Sequence, residues 1–232
     1  ITRTPTWQSF GDACLYGAGG YSIDLGFWWN VEFPEDIVKR TLLHVRDVKQ
    51  QTIVSINVFE YITVIINYCA ALTVLEANPQ LTTDPHPILL NVTDNTSAKN
   101  WTTHGCKSSR IGRLLSKFFC YILMDSPLGI NAKWIDTKEN ELADEISRFK
   151  KQHITPRTSH HPSVHYNYDY TSLKQRYPSL NHCRFFRMSP ELDSMIWGIV
   201  SSESLPPLKE VQRMKRSGLG SLTTSNFFVK GK

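Results

Sequence analysis

The spacing of apolar positions changes period several times along this chain, and each change marks an element. Over residues 7–34 (WQSFGDACLYGAGGYSIDLGFWWNVEFP), Phe10, Asp12 and Cys14 alternate with Gly11, Ala13 and Leu15, which predicts a strand. A glycine-rich turn then leads to a second strand carrying Tyr21, Phe27, Trp28 and Trp29. Residues 34–50 predict a short helix and a loop. SINVFEYITVIINYCAALTVLEA predicts the end of a third strand running into a long helix that is apolar around nearly its whole circumference, as expected of a helix buried against a sheet. In HPILLNVTDNTSAKNW, the run Ile88, Leu89, Leu90, Val92 has the length of a buried strand, ends on Asp94 and passes into small polar residues suited to starting a helix. KSSRIGRLLSKFFCYILMDS is the clearest amphipathic helix, with Ile111, Leu114, Leu115, Phe118, Phe119, Ile122 and Leu123 on one side and Lys107, Arg110, Arg113 and Lys117 on the other. INAKWIDT predicts a last short strand. NELADEISRFKK predicts a helix with Leu142, Ile146 and Phe149 inward and Asp144 on a different side.

Beyond residue 150 the periodicity fades. KKQHITPRTSHHPSVHYNYDY has the composition of a linker, and two short helices are expected to begin near Pro190 and Pro207. Met195 and Trp197 are the docking residues of this tail, with core, second subunit and nucleic acid all open as partners. The expected division is therefore a domain over residues 1–150 and a basic, mainly helical extension over 151–232. A chain of 232 residues, 41% of them hydrophobic, can bury one sizeable core with such an appendage.

Charge sharpens that division. Residues 1–150 carry 14 Lys and Arg against 16 Asp and Glu, whereas residues 151–232 carry 12 against 5, so the net charge of +5 belongs to the tail. A slightly acidic core can still bind a polyanion if bound cations neutralise some of its carboxylates. The five cysteines are scattered and odd in number, with no C-x-x-C pair, which points to a reduced intracellular chain, in cytoplasm or nucleus, without structural zinc. His160, His161 and His165 lack a defined partner set for a metal. Asn91, Asn95 and Asn100 open N-x-S/T sequons but crowd one element, so they read as chance matches. The most apolar run is interrupted by Asn57, Glu60 and Asn67, which argues against a membrane span.

Asp12, Glu60, Asp94 and Asp144 sit at element junctions, and the first three each have an ordinary explanation beside a chemical one. Asp12 lies in a strand of otherwise apolar and small residues, where an unpaired carboxylate is costly and needs a cation or strong donors. Glu60 is in the first turns of a buried helix, on one stripe with Asn57 and Asn67; it is either a carboxylate favoured by the helix macrodipole or a metal ligand or general base. Asp94, at the carboxyl end of a strand, is either a helix cap or a site residue. Lys107, Arg110, Arg113 and Lys117 form either a solvated face or a surface for a phosphate backbone.

The set GDACLYGAGG, INVFEYITVI, LLNVTDNTSAKNW and NELADEISR, in that order and spanning residues 7–150, resembles the ribonuclease H domain that follows the polymerase in retroelement reverse transcriptases, especially those of tyrosine-recombinase (DIRS-type) elements. The resemblance implies an α/β fold with a five-stranded mixed sheet, order 3-2-1-4-5, flanked by helices. It carries an acidic tetrad onto Asp12, Glu60, Asp94 and Asp144, which would hold two magnesium ions, with manganese as a substitute, and adds Asn95 to the nucleic-acid contacts Lys107, Arg110, Arg113 and Lys117. It implies metal-dependent hydrolysis of the RNA strand of RNA–DNA hybrids, with the polymerase domain upstream in the same polyprotein and no membrane partner. Two departures stand out: the loop IDTKEN has Lys138 where many relatives carry a mobile histidine, and no Y-x-D-D polymerase signature is present. A catalytically silent binding or scaffolding module, from a decayed element copy, is the alternative class.

Overall fold

The computed structural model describes residues 3–46, 54–148 and 170–224. Its strands are β1 (Trp7–Ala13), β2 (Gly17–Ser22), β3 (Phe27–Glu32), β4 (Ile88–Thr93), β5 (Gly129–Trp134), β6 (Arg184–Met188) and β7 (Gly220–Thr223). Among the described residues there are eight α-helices: α1 (Glu35–Arg46), α2 (Ile56–Ala77), α3 (Thr96–His104), α4 (Arg110–Leu123), α5 (Glu141–Ser147), α6 (Tyr170–Arg176), α7 (Pro190–Ser202) and α8 (Leu208–Ser217). The fold is α/β, built on one mixed sheet of seven strands in the order β5-β4-β1-β2-β3-β6-β7. β1, β2 and β3 pair antiparallel as a meander, β4 and β5 run parallel to β1, and β6 joins β3 in parallel before turning antiparallel into β7.

The expected five-stranded sheet is therefore corrected to seven. The expected order survives as the run β3-β2-β1-β4-β5, but the sheet continues past β3 into residues of the tail. An uncovered β3 would present a row of unpaired backbone donors and acceptors, and β6 removes that edge. Neither added strand announces itself. RFFRM has no strict alternation, and GSLT is too short and polar to register.

The first three strands also differ from expectation. The glycine-rich run is not a turn but β2 itself, and no strand precedes α2 at residues 54–55. The glycines are needed because helices press on both faces of β2. A Cβ on Gly19 would stand 2.5 Å from Ile146 of α5, and one on Gly20 would stand 2.5 Å from Asn67 Oδ1 of α2. The strand is thus read by its missing side chains, which periodicity cannot see.

On one face lies α2, buried along most of its length. Trp29 Nε1 donates to Asn67 Oδ1 (2.7 Å), and Asn67 Nδ2 donates to the Phe10 carbonyl (3.1 Å) and to Asn91 Oδ1 (2.9 Å), so the polar residue inside this helix is satisfied by the sheet. Asn91 is fully buried in that network, which closes its sequon to a glycan. α2 has the length and apolarity to cross a membrane, but 94% of its most apolar window is buried inside the protein. On the opposite face, Leu142, Ala143 and Ile146 of α5 pack with Tyr21, Trp28, Leu173, Leu180 and Cys183, and Phe10 stacks on Tyr21 at 5.0 Å. Phe149, also expected inward, lies outside the described residues, as do residues 47–53 and the run holding His160, His161 and His165.

The two expected tail helices are present as α7 and α8, and Trp197 and Met195 dock on the core. Trp197 is buried with its ring 5.3 Å from that of Phe33, and Phe186, Ile196 and Val200 join the same apolar cluster. Each large apolar side chain contributes about 1.5–3 kcal/mol on burial, against a net domain stability of about 5–15 kcal/mol. A chain cut after Lys150 is thus expected to lose cooperative unfolding in urea and to bind a hydrophobic dye, because Phe33 and Trp28 lose their covering and the β3 edge opens. A truncated chain with an unchanged urea midpoint would contradict this packing.

Candidate metal centre

The parallel register of β1 and β4 builds the centre of the site. Phe10 pairs with Val92, so two residues further on Asp12 and Asp94 reach the carboxyl ends of adjacent strands side by side. Glu60 enters from the first turns of α2, where its Oε1 accepts from the Ala13 backbone N–H at 3.4 Å. One carboxylate oxygen from each of Asp12, Glu60 and Asp94 lies within 4.8 Å of the others. Asp12 and Glu60 are buried and Asp94 is half-buried, so the cluster faces outward through Asp94.

Asp144, the fourth expected acid, stands next to this group but not within it. It lies on α5, where Arg148 Nε donates to both Oδ1 and Oδ2 at 3.0 Å and Nη2 makes a further contact to Oδ1. Ser147 Oγ is 2.8 Å from Asp12 Oδ2 and 2.8 Å from the Asp144 carbonyl. A hydroxyl carries one proton, and giving it to the carboxylate makes the stronger, charge-assisted bond. Asn140, at the start of α5, donates to the Gly11 carbonyl at 3.1 Å and anchors that helix to β1. Asn140, Ser147 and Arg148 lie in the NELADEISR motif that carries the resemblance, but the sequence assigns none of the three a role. The available signal was the spacing of three and four from Asp144, which puts Ser147 and Arg148 beside it on the helix.

The electrostatics are those of carboxylates that need a cation. Burial pushes the Asp12 carboxyl up from 3.8 to about 7, helped by the charges of Asp144 and Asp94 and opposed by the Ser147 hydroxyl and Arg148. Burial, then the charges of Asp12 and Asp94, hold Glu60 well above the usual carboxylate range. Glu60 Oε2 is buried without a hydrogen-bond partner. Three convergent carboxylates, one with an oxygen left unsatisfied, fit a hard divalent cation; the donor set is oxygen throughout, the chemistry of magnesium, calcium or manganese rather than zinc.

The remaining expected contacts are spread out. Asn95 caps α3 by accepting from the Ala98 N–H at 2.9 Å and donates through Nδ2 to Asn57 Oδ1 at 3.0 Å, so Asn95 and not Asp94 is the helix cap. Lys107, Arg110, Arg113 and Lys117 are all exposed on or just before α4. Arg110 pairs with Glu203 at 3.2 Å, and Arg113 donates to the Lys107 carbonyl at 2.8 Å. Trp134, the last residue of β5, donates from its indole N–H to the Asp94 carbonyl at 2.8 Å while its ring stays exposed. No protein-family model matches the chain, and no curated protein matches it in sequence.

The raised carboxyls make stability depend on pH in a defined direction. A group protonated more readily in the folded state stabilises the fold fully below its unfolded value and loses that contribution as pH rises through the folded one. For Asp12 this window runs from 3.8 to about 7. In chelator the fold is expected to lose on the order of a few kcal/mol of stability through Asp12 between these pH values, seen as a steadily falling melting temperature. Added Mg²⁺ is expected to flatten the decline, measured by thermal melts across the range; a flat profile in chelator would contradict the burial of these charges.

Proposed function

We propose that this chain is a metal-dependent ribonuclease H-type endonuclease that cleaves the RNA strand of RNA–DNA hybrids, serving as the ribonuclease H domain of a DIRS-like reverse transcriptase. The observation that carries the reading is the convergence of Asp12, Glu60 and Asp94 at the carboxyl ends of β1 and β4, with ligand atoms within 4.8 Å. Supporting it, the strand run β3-β2-β1-β4-β5 has the order that the resemblance implies. A helix carrying Asp144 packs against β1 and β2.

Asp12, Glu60 and Asp94 are the residues to hold magnesium, with Asp144 completing the set for a second ion. When bound, such ions activate water and stabilise charge on the phosphoryl and leaving oxygens. The chain's own part is to pre-position the ligands. Ser147 orients Asp12, the Ala13 N–H orients Glu60, and the peptide after Asp94 is held at both ends, its carbonyl by the Trp134 indole N–H and the Asn95 N–H by the Thr93 hydroxyl. Lys107, Arg113 and Lys117 offer an exposed cationic surface for the phosphate backbone, while Arg110 is shared with Glu203. The upstream polymerase domain of the polyprotein and the hybrid are the proposed partners, in cytoplasm or nucleus.

Incubating the full chain with a labelled hybrid, with Mg²⁺ or with chelator, tests the reading. Cleavage of the RNA strand only with Mg²⁺ is expected, and binding without cutting would favour the scaffolding class. Loss of an outer-shell metal partner typically costs about 10–100-fold, so Asp12→Asn and Asp94→Asn are expected to lose more than about 100-fold in rate while retaining hybrid binding. Mg²⁺-dependent cleavage at the wild-type rate in either variant would refute the assignment. Replacing Lys107, Arg113 and Lys117 by alanine is expected to weaken binding of all hybrids alike and to shallow the slope of log K against log salt by about 0.9 per lost phosphate contact.

A further inference from the structure

Arg148 stands out among the charged residues around the site. It is the C-cap residue of α5, and its guanidinium lies along the Asp144 carboxylate with Nε 3.0 Å from each oxygen. Both oxygens that Asp144 could offer an ion are therefore already engaged. Asp144 is correspondingly absent from the group of acids whose ligand atoms lie within 4.8 Å, although its charge acts on Asp12. Arg148 is 42% exposed and sits at the end of the helix, so its side chain can swing into solvent without unwinding α5 or opening the core. The neighbouring acids give the pair a significance beyond an ordinary helix pair four residues apart: Glu60 Oε2, buried and unpartnered, marks the adjacent cluster as a place where positive charge is missing.

We propose that Arg148 is a positioning residue that keeps Asp144 as its own counter-ion, so that a second divalent cation gains Asp144 only in exchange for the guanidinium. The inference rests on the metal-centre reading above and adds an order to it. The first ion belongs to Asp12, Glu60 and Asp94, whose oxygens are mutually close and compete with no internal cation for the Glu60 oxygen. The second meets a carboxylate held by a planar fork, the geometry in which an arginine grips a carboxylate best. The second site is thus weaker than the first by the strength of that grip. A helix-stabilising pair with no part in cation binding would shift melting temperature equally with and without divalent ions.

Calorimetric titration of Mg²⁺ into the chelator-stripped full chain tests this without reference to cleavage. The wild type is expected to show a tight and a weak step. Arg148→Gln should strengthen the weak step about fivefold, the size of a partly exposed ion pair, and leave the tight step within about twofold. Arg148→Lys keeps the charge but not the fork, and should fall between the two. Asp144→Asn should abolish the weak step and retain the tight one. In thermal melts, Arg148→Gln should lower the melting temperature in chelator and gain more from Mg²⁺ than the wild type does. Two steps that are indifferent to both Arg148 variants would overturn the inference while leaving the metal centre standing, as would an Asp144→Asn variant that keeps both steps. A wild type that binds no Mg²⁺ would overturn the metal-centre reading and this inference together.

Discussion

The close seating of α2 on the sheet is the contact on which both the core and the site depend. A Cβ on Gly11 would stand 2.8 Å from Thr63 Oγ1, and one on Gly20 would stand 2.5 Å from Asn67 Oδ1 and 2.7 Å from the Phe10 carbonyl. Side chains at those strand positions would lift the helix away. At this distance Asn67 reaches three partners in the sheet, so a polar residue in a buried helix helps set the register of helix against sheet. About two turns towards the amino end of the same helix, Glu60 is delivered against the Ala13 N–H and beside Asp12. The glycine approach, the asparagine network and the acid cluster are one mechanical arrangement.

That arrangement concentrates negative charge where solvent is scarce. Burial raises Asp12 and Glu60; the charges of Asp144 and Asp94 push Asp12 further up, and those of Asp12, Asp94 and Asp144 do the same to Glu60. The protein answers with local donors: the Ser147 hydroxyl on Asp12, the Ala13 N–H on Glu60 and the guanidinium of Arg148 on Asp144. These leave one Glu60 oxygen unanswered. Strain of this kind is common at functional sites, where stability is conceded so that a ligand can supply the missing interaction.

The C-terminal segment joins the same structure instead of hanging from it. β6 pairs with β3, Trp197 packs on Phe33, and Arg176 engages the buried Glu145 at 2.9 Å, tying α6 to the site helix α5. Across the molecule, Glu203 at the end of α7 adopts a left-handed backbone conformation (φ 51°) and meets Arg110 of α4 and Arg40 of α1. Arg40 also donates to the Val200 carbonyl at 3.2 Å, a cation at a helix carboxyl end, where the macrodipole favours it. Of these ties, Arg176–Glu145 consumes positive charge of the tail, whereas the Arg40 and Arg110 pairs set positive charge of residues 1–150 against a tail carboxylate.

The elements with strong periodicity were legible in the sequence because their pattern reports a local fact, namely which side of a helix or strand is covered. α2, α4 and β4 belong to this group, and the four acids could be picked out because each stands at a junction between such elements. What periodicity could not reveal was contact between distant segments. β2 read as a turn because its glycines record the nearness of Ile146 and Asn67, residues far away in sequence. β6 and β7 were invisible because strands this short are chosen by the partner strand rather than by their own pattern. The site divides in the same way: the identity and order of Asp12, Glu60, Asp94 and Asp144 are properties of the sequence, whereas only the tertiary structure decided that three of them converge and that the fourth, paired with Arg148, stands beside them. Coulomb energy depends on distance and on burial, and neither is written in residue order.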